Sequence, residues 1–192
     1  MKKIYAIIVL AIAAIAGTAN AAEKGFYVGG SLGFEHNDKK SDVMSSYNEF
    51  IIAPEDGYNF NSKWAFGGTV SFDYKNFFRV DDTYSSVFSI EPYARYTYFR
   101  QGILQLFVDG GFGIGIGGGE TGGHDTDTLL TYSIGFKPGV SLNFTKNFGL
   151  TAHLGFLGYK GANNAAYDLG YVRNGGFFFH TSDVLLGAYF NF

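Results

Sequence analysis

The stretch that decides the fold runs from Leu130 to Gly158, LTYSIGFKPGVSLNFTKNFGLTAHLGFLG. Apolar residues take every second position from Leu130 through Tyr132, Ile134, Phe136, Pro138, Val140 and Leu142 to Phe144. Thr131, Ser133, Gly135, Lys137, Gly139, Ser141 and Asn143 lie between them. A period of two puts one set on each face of an extended strand. After Thr145, Lys146 and Asn147 the alternation resumes with Phe148, Leu150, Ala152, Leu154 and Phe156, opposite Gly149, Thr151, His153 and Gly155. This is a hairpin, and its greasy strand is too long for a half-buried sheet. Strands in soluble domains run to about 5 to 6 residues, whereas a strand tilted across a bilayer needs about 9 to 11. The spacing predicts a transmembrane β-hairpin.

The same alternation extends over the rest of the chain. It starts with Phe26, Val28, Leu32 and Phe34 outward, and gives eight strands at approximately 25 to 34, 47 to 60, 64 to 74, 86 to 98, 103 to 117, 129 to 144, 148 to 160 and 178 to 192. A unit recurs three times: Phe50-x-Ile52-x-Pro54-x-x-x-Tyr58, Phe88-x-Ile90-x-Pro92-x-x-x-Tyr96 and Ile134-x-Phe136-x-Pro138-x-x-x-Leu142. It contains all three prolines of the chain. Proline has no ladder N–H, so the repeat predicts a kink or bulge in each of these strands.

Three connections are short: Asn61-Ser62-Lys63, the turn near Arg100 and Gln101, and Thr145-Lys146-Asn147, where Asn147 is expected to supply a left-handed residue. The connections near 35 to 46, 75 to 85, 118 to 128 and 161 to 177 are longer and polar. In a closed barrel this asymmetry puts the short turns and both termini in the periplasm and the four long loops outside. Phe26, Phe60, Trp64, Tyr98, Phe144, Phe148, Phe190 and Phe192 cluster at the short-turn end. Phe34, Tyr74, Phe88, Tyr132 and Phe178 lie toward the loop end, so the two sets predict aromatic girdles at the two interfaces. Asp56 is the exception, because strict alternation turns it toward lipid unless a bulge beside Pro54 turns it away.

Composition agrees. Aromatics reach 19%, charged residues only 16%, and glycine counts 28. Mean hydropathy is near neutral, because lipid-facing and lumen-facing residues cancel along a barrel strand. Residues 1–21 read as a signal peptide: Lys2 and Lys3, an apolar run from Ile4 to Ala16, then Ala19-Asn20-Ala21 as a small-x-small cleavage site. Cleavage there leaves 22–192 as one barrel domain and moves the formal charge from -3 to -5. A negative chain without a basic patch argues against nucleic acid as a partner. With no cysteine, disulfides and a lipid-anchoring thiol are both excluded.

Taken together, FSIEPYARYTYF (Phe88 to Phe99), KPGVSLNFTKNFGLTAHLGFLGY (Lys137 to Tyr159) and the closing VLLGAYFNF (Val184 to Phe192) resemble the small outer-membrane β-barrel family that includes OmpA and OmpX. The resemblance covers the whole mature chain. It implies a Gram-negative outer-membrane location, contact with outer-membrane lipid and lipopolysaccharide, and a terminal Phe192 strand read by the barrel-assembly machinery.

Odd-numbered positions place Glu55, Asp73, Glu91, Arg95, Asp109, Lys137, His153 and Asp183 inward. Eight strands enclose an interior that side chains fill, so these groups are expected to pair across strands, Arg95 with Asp109 among them. A structural plug is preferred over an ion path or narrow pore. Gly113-x-Gly115-x-x-Gly118 matches a dinucleotide fingerprint by letter but lacks the helix that would present N–H groups to a pyrophosphate. Small residues packing in a narrow lumen explain it better. Glu120, His124, Asp125 and Asp127 have metal-ligand chemistry in a Gly-rich loop, where solvation is the plainer explanation. His180 and Ser182 share a strand face near the outer interface, the arrangement of base and nucleophile that a lipid A deacylase would need. No glutamate follows Glu120 to complete a triad and Asp183 points the other way, so polar residues at a strand exit are the plainer reading. The expectation is a monomeric, eight-stranded, antiparallel up-and-down transmembrane barrel. It has no catalytic residues, cofactor or metal, and its role is structural or adhesive through the loops, which would meet any surface ligand.

Overall fold

The computed structural model describes residues 24–38, 46–178 and 184–192. The expected signal peptide lies outside them, as do His180, Ser182 and Asp183. The strands are β1 (Gly25–Asn37), β2 (Tyr47–Asn59), β3 (Trp64–Asn76), β4 (Tyr84–Gln101), β5 (Leu104–Thr121), the short β6 (His124–Asp125), β7 (Leu129–Asn143), β8 (Phe148–Leu154), β9 (Phe156–Ala162), β10 (Asn174–Phe178) and β11 (Val184–Asn191). A five-residue helix, α1 (Asn164–Asp168), lies between β9 and β10.

Every pairing is antiparallel, and each full-length strand pairs with its neighbours in sequence. β8 with β9 forms the seventh stave of the wall and β10 with β11 the eighth. The ring closes where β11 pairs with β1, from Tyr27 opposite Asn191 to Leu32 opposite Leu186. Over that ladder closure removes the lateral edge with its open N–H and C=O groups, which is the condition for strands to cross hydrocarbon. The architecture is an eight-stranded antiparallel barrel. At 13 to 18 residues, β1 to β5 are longer than the bilayer needs and project beyond it.

Even-numbered apolar residues face outward on β1 to β5, β7, β8 and β11, among them Phe26, Val28, Phe72, Ile90, Ile114, Ile134, Phe136 and Leu186. Parity reverses at Gly155. Phe156 is 2% exposed while Leu157 is 48% exposed, so Phe156 points into the lumen and not to lipid as unbroken alternation predicts. Gly155 has φ +89, a left-handed conformation that favours glycine. The register of β7 slips by one residue between Gly139 opposite His153 and Phe136 opposite Leu157. One extra residue on β8–β9 is a bulge, and it swaps the faces of everything after it.

The three prolines do not produce three bulges. Register is unchanged across Pro54, from Ile52 opposite Phe72 to Glu55 opposite Thr69, and across Pro92, from Ile90 opposite Ile114 to Tyr93 opposite Gly111. The ladder only loses its pairs there, as a missing N–H requires. Pro138 stands opposite the Gly155 bulge on the neighbouring stave. A further slip lies between Thr97 and Phe99, next to the short turn. With no bulge at Pro54, Asp56 stays exposed on the outer face, between Val28 and Gly68. It lies one outward step from Tyr58, close to the interface, where a carboxylate is least costly.

The short turns use side-chain acceptors where left-handed backbone was expected. Asn61 Oδ1 accepts from the N–H groups of Lys63 and Trp64 at 2.8 and 3.0 Å. Thr145 Oγ1 accepts from those of Asn147 and Phe148 at 3.2 and 2.9 Å. Among the described residues only Asp82 has a positive φ without being glycine, so Asn147 is not left-handed. Phe144 is covered to 5% exposure and stacks on Phe148, which packs on Phe190, while Phe26, Phe60, Trp64, Tyr98, Phe190 and Phe192 remain exposed.

Candidate functional site

The inward face collects the charged groups that parity assigns to it. Arg95 and Asp109 are register partners on β4 and β5. The Arg95 Nε and Nη2 groups donate to Asp109 Oδ1 and Oδ2 at 2.7 and 2.8 Å, a bidentate, charge-assisted pair. From β8, His153 Nε2 donates to Asp109 Oδ2 at 2.8 Å. Arg95 Nη2 also lies 3.5 Å from Glu55 Oε2 on β2. That same carboxylate oxygen accepts from Tyr93 Oη at 2.9 Å, and Tyr27 in turn donates to Tyr93 at 2.7 Å. The Phe107 ring lies 4.1 Å from the guanidinium carbon. Staves on every side of the barrel therefore converge on one cation. Gly57 and Gly67 make the space, because a Cβ at either would overlap the Tyr27 side chain.

Above this cluster, Lys137 Nζ meets Glu91 Oε1 at 2.5 Å, reaching across β5 from β7 to β4. Glu91 and Arg95 thus find partners on other strands, as their separation along β4 demands. Nearer the loop end, Lys75 Nζ lies 3.4 Å from Glu49 Oε1 and 4.1 Å from the Tyr171 ring centre. Glu49 and Lys75 were not singled out from sequence. Both are odd-numbered, so the parity rule that found Arg95 places them inward once the strands are known to extend past the bilayer.

The outer mouth is closed by an apolar cap. Phe77, Val87, Leu129, Ala162, Ala166, Leu169 and Tyr171 form one buried cluster, with Tyr47 and Ala165 packed on it. Helix α1 carries Ala166, and Asn163 caps it by accepting from Ala166 N at 3.0 Å. Asn163 also donates to Thr128 O at 2.7 Å and accepts from Leu130 N at 3.2 Å, tying the helix to the start of β7. Gly170, φ +75, ends the turn. Arg173 Nε donates back to Ala162 O, and Arg173 Nη2 donates to Asn164 Oδ1 at 2.7 Å. Burial pushes the Tyr171 phenol well above its ordinary range. The stretch 161 to 177 reads as a polar loop in sequence, although an N-cap Asn and a glycine seven residues on were a legible helix signal.

Two small cavities lie among the described lumen residues. One of about 20 Å³ is lined by Glu55, Glu91, Tyr93, Asp109, Lys137 and His153 among others. The other, about 30 Å³, lies toward the short turns beside Tyr27, Arg95 and Phe107. Each has room for a water molecule or two.

Other sequence candidates come apart. Gly113 and Gly115 face inward, where a Cβ would crowd Ser133 and Thr131, but Gly118 has open space beside it. Small-residue packing therefore explains the first two alone. His124 Nδ1 lies 3.1 Å from Gly122 O, and Glu120 stands opposite Asp125 in register. Among the described residues no group of three or more His, Cys, Asp or Glu side chains is arranged to hold a metal. His180 and Ser182 fall outside the described residues.

A closed antiparallel wall, apolar outside and ion-paired within, defines a β-barrel built for the outer membrane. A family model for the outer membrane protein beta-barrel domain matches residues 6–190, and the chain belongs to that family, whose members reside in the outer membrane. Among solved structures, Neisserial surface protein A aligns over 89% of this chain and 100% of its own, at 19% identity and a TM-score of 0.58. The N-terminal β-barrel domain of Pseudomonas aeruginosa OprF aligns over the same shares at 16% identity and a TM-score of 0.50. These likenesses are of fold. No curated protein matches the chain significantly in sequence.

Proposed function

We propose that the protein is a non-enzymatic, monomeric outer-membrane barrel with a plugged lumen, whose work is structural or adhesive and is done by four extracellular loops. The observation that supports this reading is the Arg95 cluster: a bidentate ion pair, with His153 and Glu55 converging on it, lies across the lumen with water-sized cavities beside it. An eight-stranded wall has no width for an aqueous channel beside such a cluster. The apolar cap over the loop end supports the same reading from the other side. The leader at residues 1–21 directs export, and the β11 strand ending in Phe192 addresses the chain to the barrel-assembly machinery. Lipopolysaccharide surrounds the loop end, and any surface ligand meets the loops.

Planar-bilayer recording tests the plug. The purified full chain is expected to show no steady conductance, and a steady current that Arg95→Ala abolishes would overturn the reading. Cells displaying the protein with the long loops shortened to Gly-Ser linkers test the loops. A folded barrel with lost adherence supports the role, and unchanged adherence refutes it.

A further inference from the structure

The cavity of about 30 Å³ at the short-turn end of the lumen has Lys63, Arg95, Arg100, Gln105 and Tyr189 in its wall, and no Asp or Glu lines it. Arg100 reaches it because of the bulge in β4. Unbroken alternation from the inward Arg95 would turn an even-numbered residue to lipid, but Tyr98 is the extra residue in the slip between Thr97 and Phe99. Phe99 therefore stands opposite Leu106 on the outer face, 40% exposed, and Arg100 stands opposite the buried Gln105. Re-aiming one side chain is a recurrent use of a bulge. Arg100 Nη2 then donates to Ser62 O at 2.9 Å, which holds the guanidinium across the first short turn, next to Lys63.

The side-chain acceptors around this mouth are used internally. Asn61 Oδ1 takes the Lys63 and Trp64 N–H groups, Asn191 Oδ1 accepts from Asn59 Nδ2 at 3.2 Å, and Asn143 Oδ1 accepts from Tyr189 Oη. A donor remains. Asn143 is 1% exposed, and its Nδ2 has no hydrogen-bond partner among the described residues. Asp109 and Glu55 balance the charge of Arg95, so the charge that the cavity presents comes from Lys63 and Arg100. A surplus of donors and two positive charges over a hole without a carboxylate suit an anion with several acceptor oxygens. The cavity has room for about two water molecules, so only the head of such an anion enters. A phosphate carries about −1.5 to −2 near neutral pH, which two cations match and a carboxylate does not.

We propose that the short-turn mouth of the barrel is a binding site for the phosphate group of a soluble ligand, held over the cavity between Lys63 and Arg100. Inorganic phosphate and a small phosphate monoester share this chemistry. The test is calorimetric titration of the full mature chain, folded in a neutral detergent, with inorganic phosphate, glycerol phosphate and acetate. Inorganic phosphate should bind saturably at one site per chain, and acetate about tenfold more weakly for the lost charge. Binding of glycerol phosphate in competition assigns the site to monoesters, and its exclusion assigns the site to the free ion. Lys63→Ala and Arg100→Ala should each weaken phosphate about tenfold, the worth of one hydrogen bond to a charged group. Lys146→Ala removes the same charge from a short turn that does not line the cavity, and should leave binding unchanged. A heat-shift gel checks that each variant forms the barrel, and Arg100→Gln replaces Arg100→Ala should that variant not fold. Absence of saturable phosphate binding overturns the site, as does equal affinity for acetate. A loss from Lys146→Ala as large as that from Arg100→Ala reduces it to general attraction by the rim, and overturns it equally.

Discussion

Arg95 is held by two carboxylates, a histidine on one of them and an aromatic ring, all out of contact with bulk water. Breaking a buried ion pair by removing one partner costs about 3–5 kcal/mol, because the charge left behind has lost both water and counter-ion. Arg95→Leu should therefore lower barrel stability by that amount, read as a fall in the urea midpoint for loss of folded gel mobility. Arg95→Leu combined with Asp109→Leu should recover part of the loss, since the uncompensated carboxylate goes as well. A loss in the double variant equal to the sum of the Arg95→Leu and Asp109→Leu losses would show that the pair contributes nothing beyond its separate parts. Arg95 and Asp109 were legible in the sequence, because both sit at odd positions of adjacent strands. The His153 and Glu55 contacts were not, since they depend on barrel curvature bringing distant staves within reach.

At the scale of elements, the segment from Asn163 to Arg173 behaves as a lid. It is short, and its one helical turn would not form alone. It is held by Leu169 and Ala166 in the apolar cluster and by the Arg173 clip onto Ala162. Leu169→Ala removes a fully buried side chain, a change that costs about 2–5 kcal/mol. The loss should appear as local opening: trypsin should cut after Arg173 at least tenfold faster, with the barrel's gel mobility unchanged. An unaltered cleavage rate would mean the lid is held by its hydrogen bonds alone. The β8–β9 bulge belongs to the same scale. The residues Leu154, Gly155 and Phe156 continue the alternation by letter, so nothing in hydropathy marks the reversal. Only the positive φ of Gly155 and the register against β7 reveal it.

The molecule as a whole is a closed ring in which every stave depends on both neighbours. A closed hydrogen-bonded wall has no edge from which to unravel in detergent. The protein extracted from outer membranes should therefore migrate at two positions, one unheated and one boiled, and its sequenced N-terminus should be Ala22. A single mobility would contradict closure, and an N-terminus at Met1 would contradict the leader. Barrel class, strand number, the sidedness of most strands and the family were all open to a reading of period and turn length. The reason is physical: lipid on one side and a packed polar lumen on the other impose a repeat of two on every strand, and that repeat survives in the letters.

What the sequence determined by itself is the set of residues exposed to lipid and the set turned inward, since alternation is local and needs no knowledge of neighbours. Only the tertiary structure decided where that alternation breaks, at Gly155, and that two of the three prolines cost ladder bonds without bulging. It also decided that Glu55, Asp109 and His153 converge on one arginine, and that the loop after β9 folds back as an apolar cap. Each of these depends on register and curvature between strands far apart in the chain, and a one-dimensional pattern carries no measure of either.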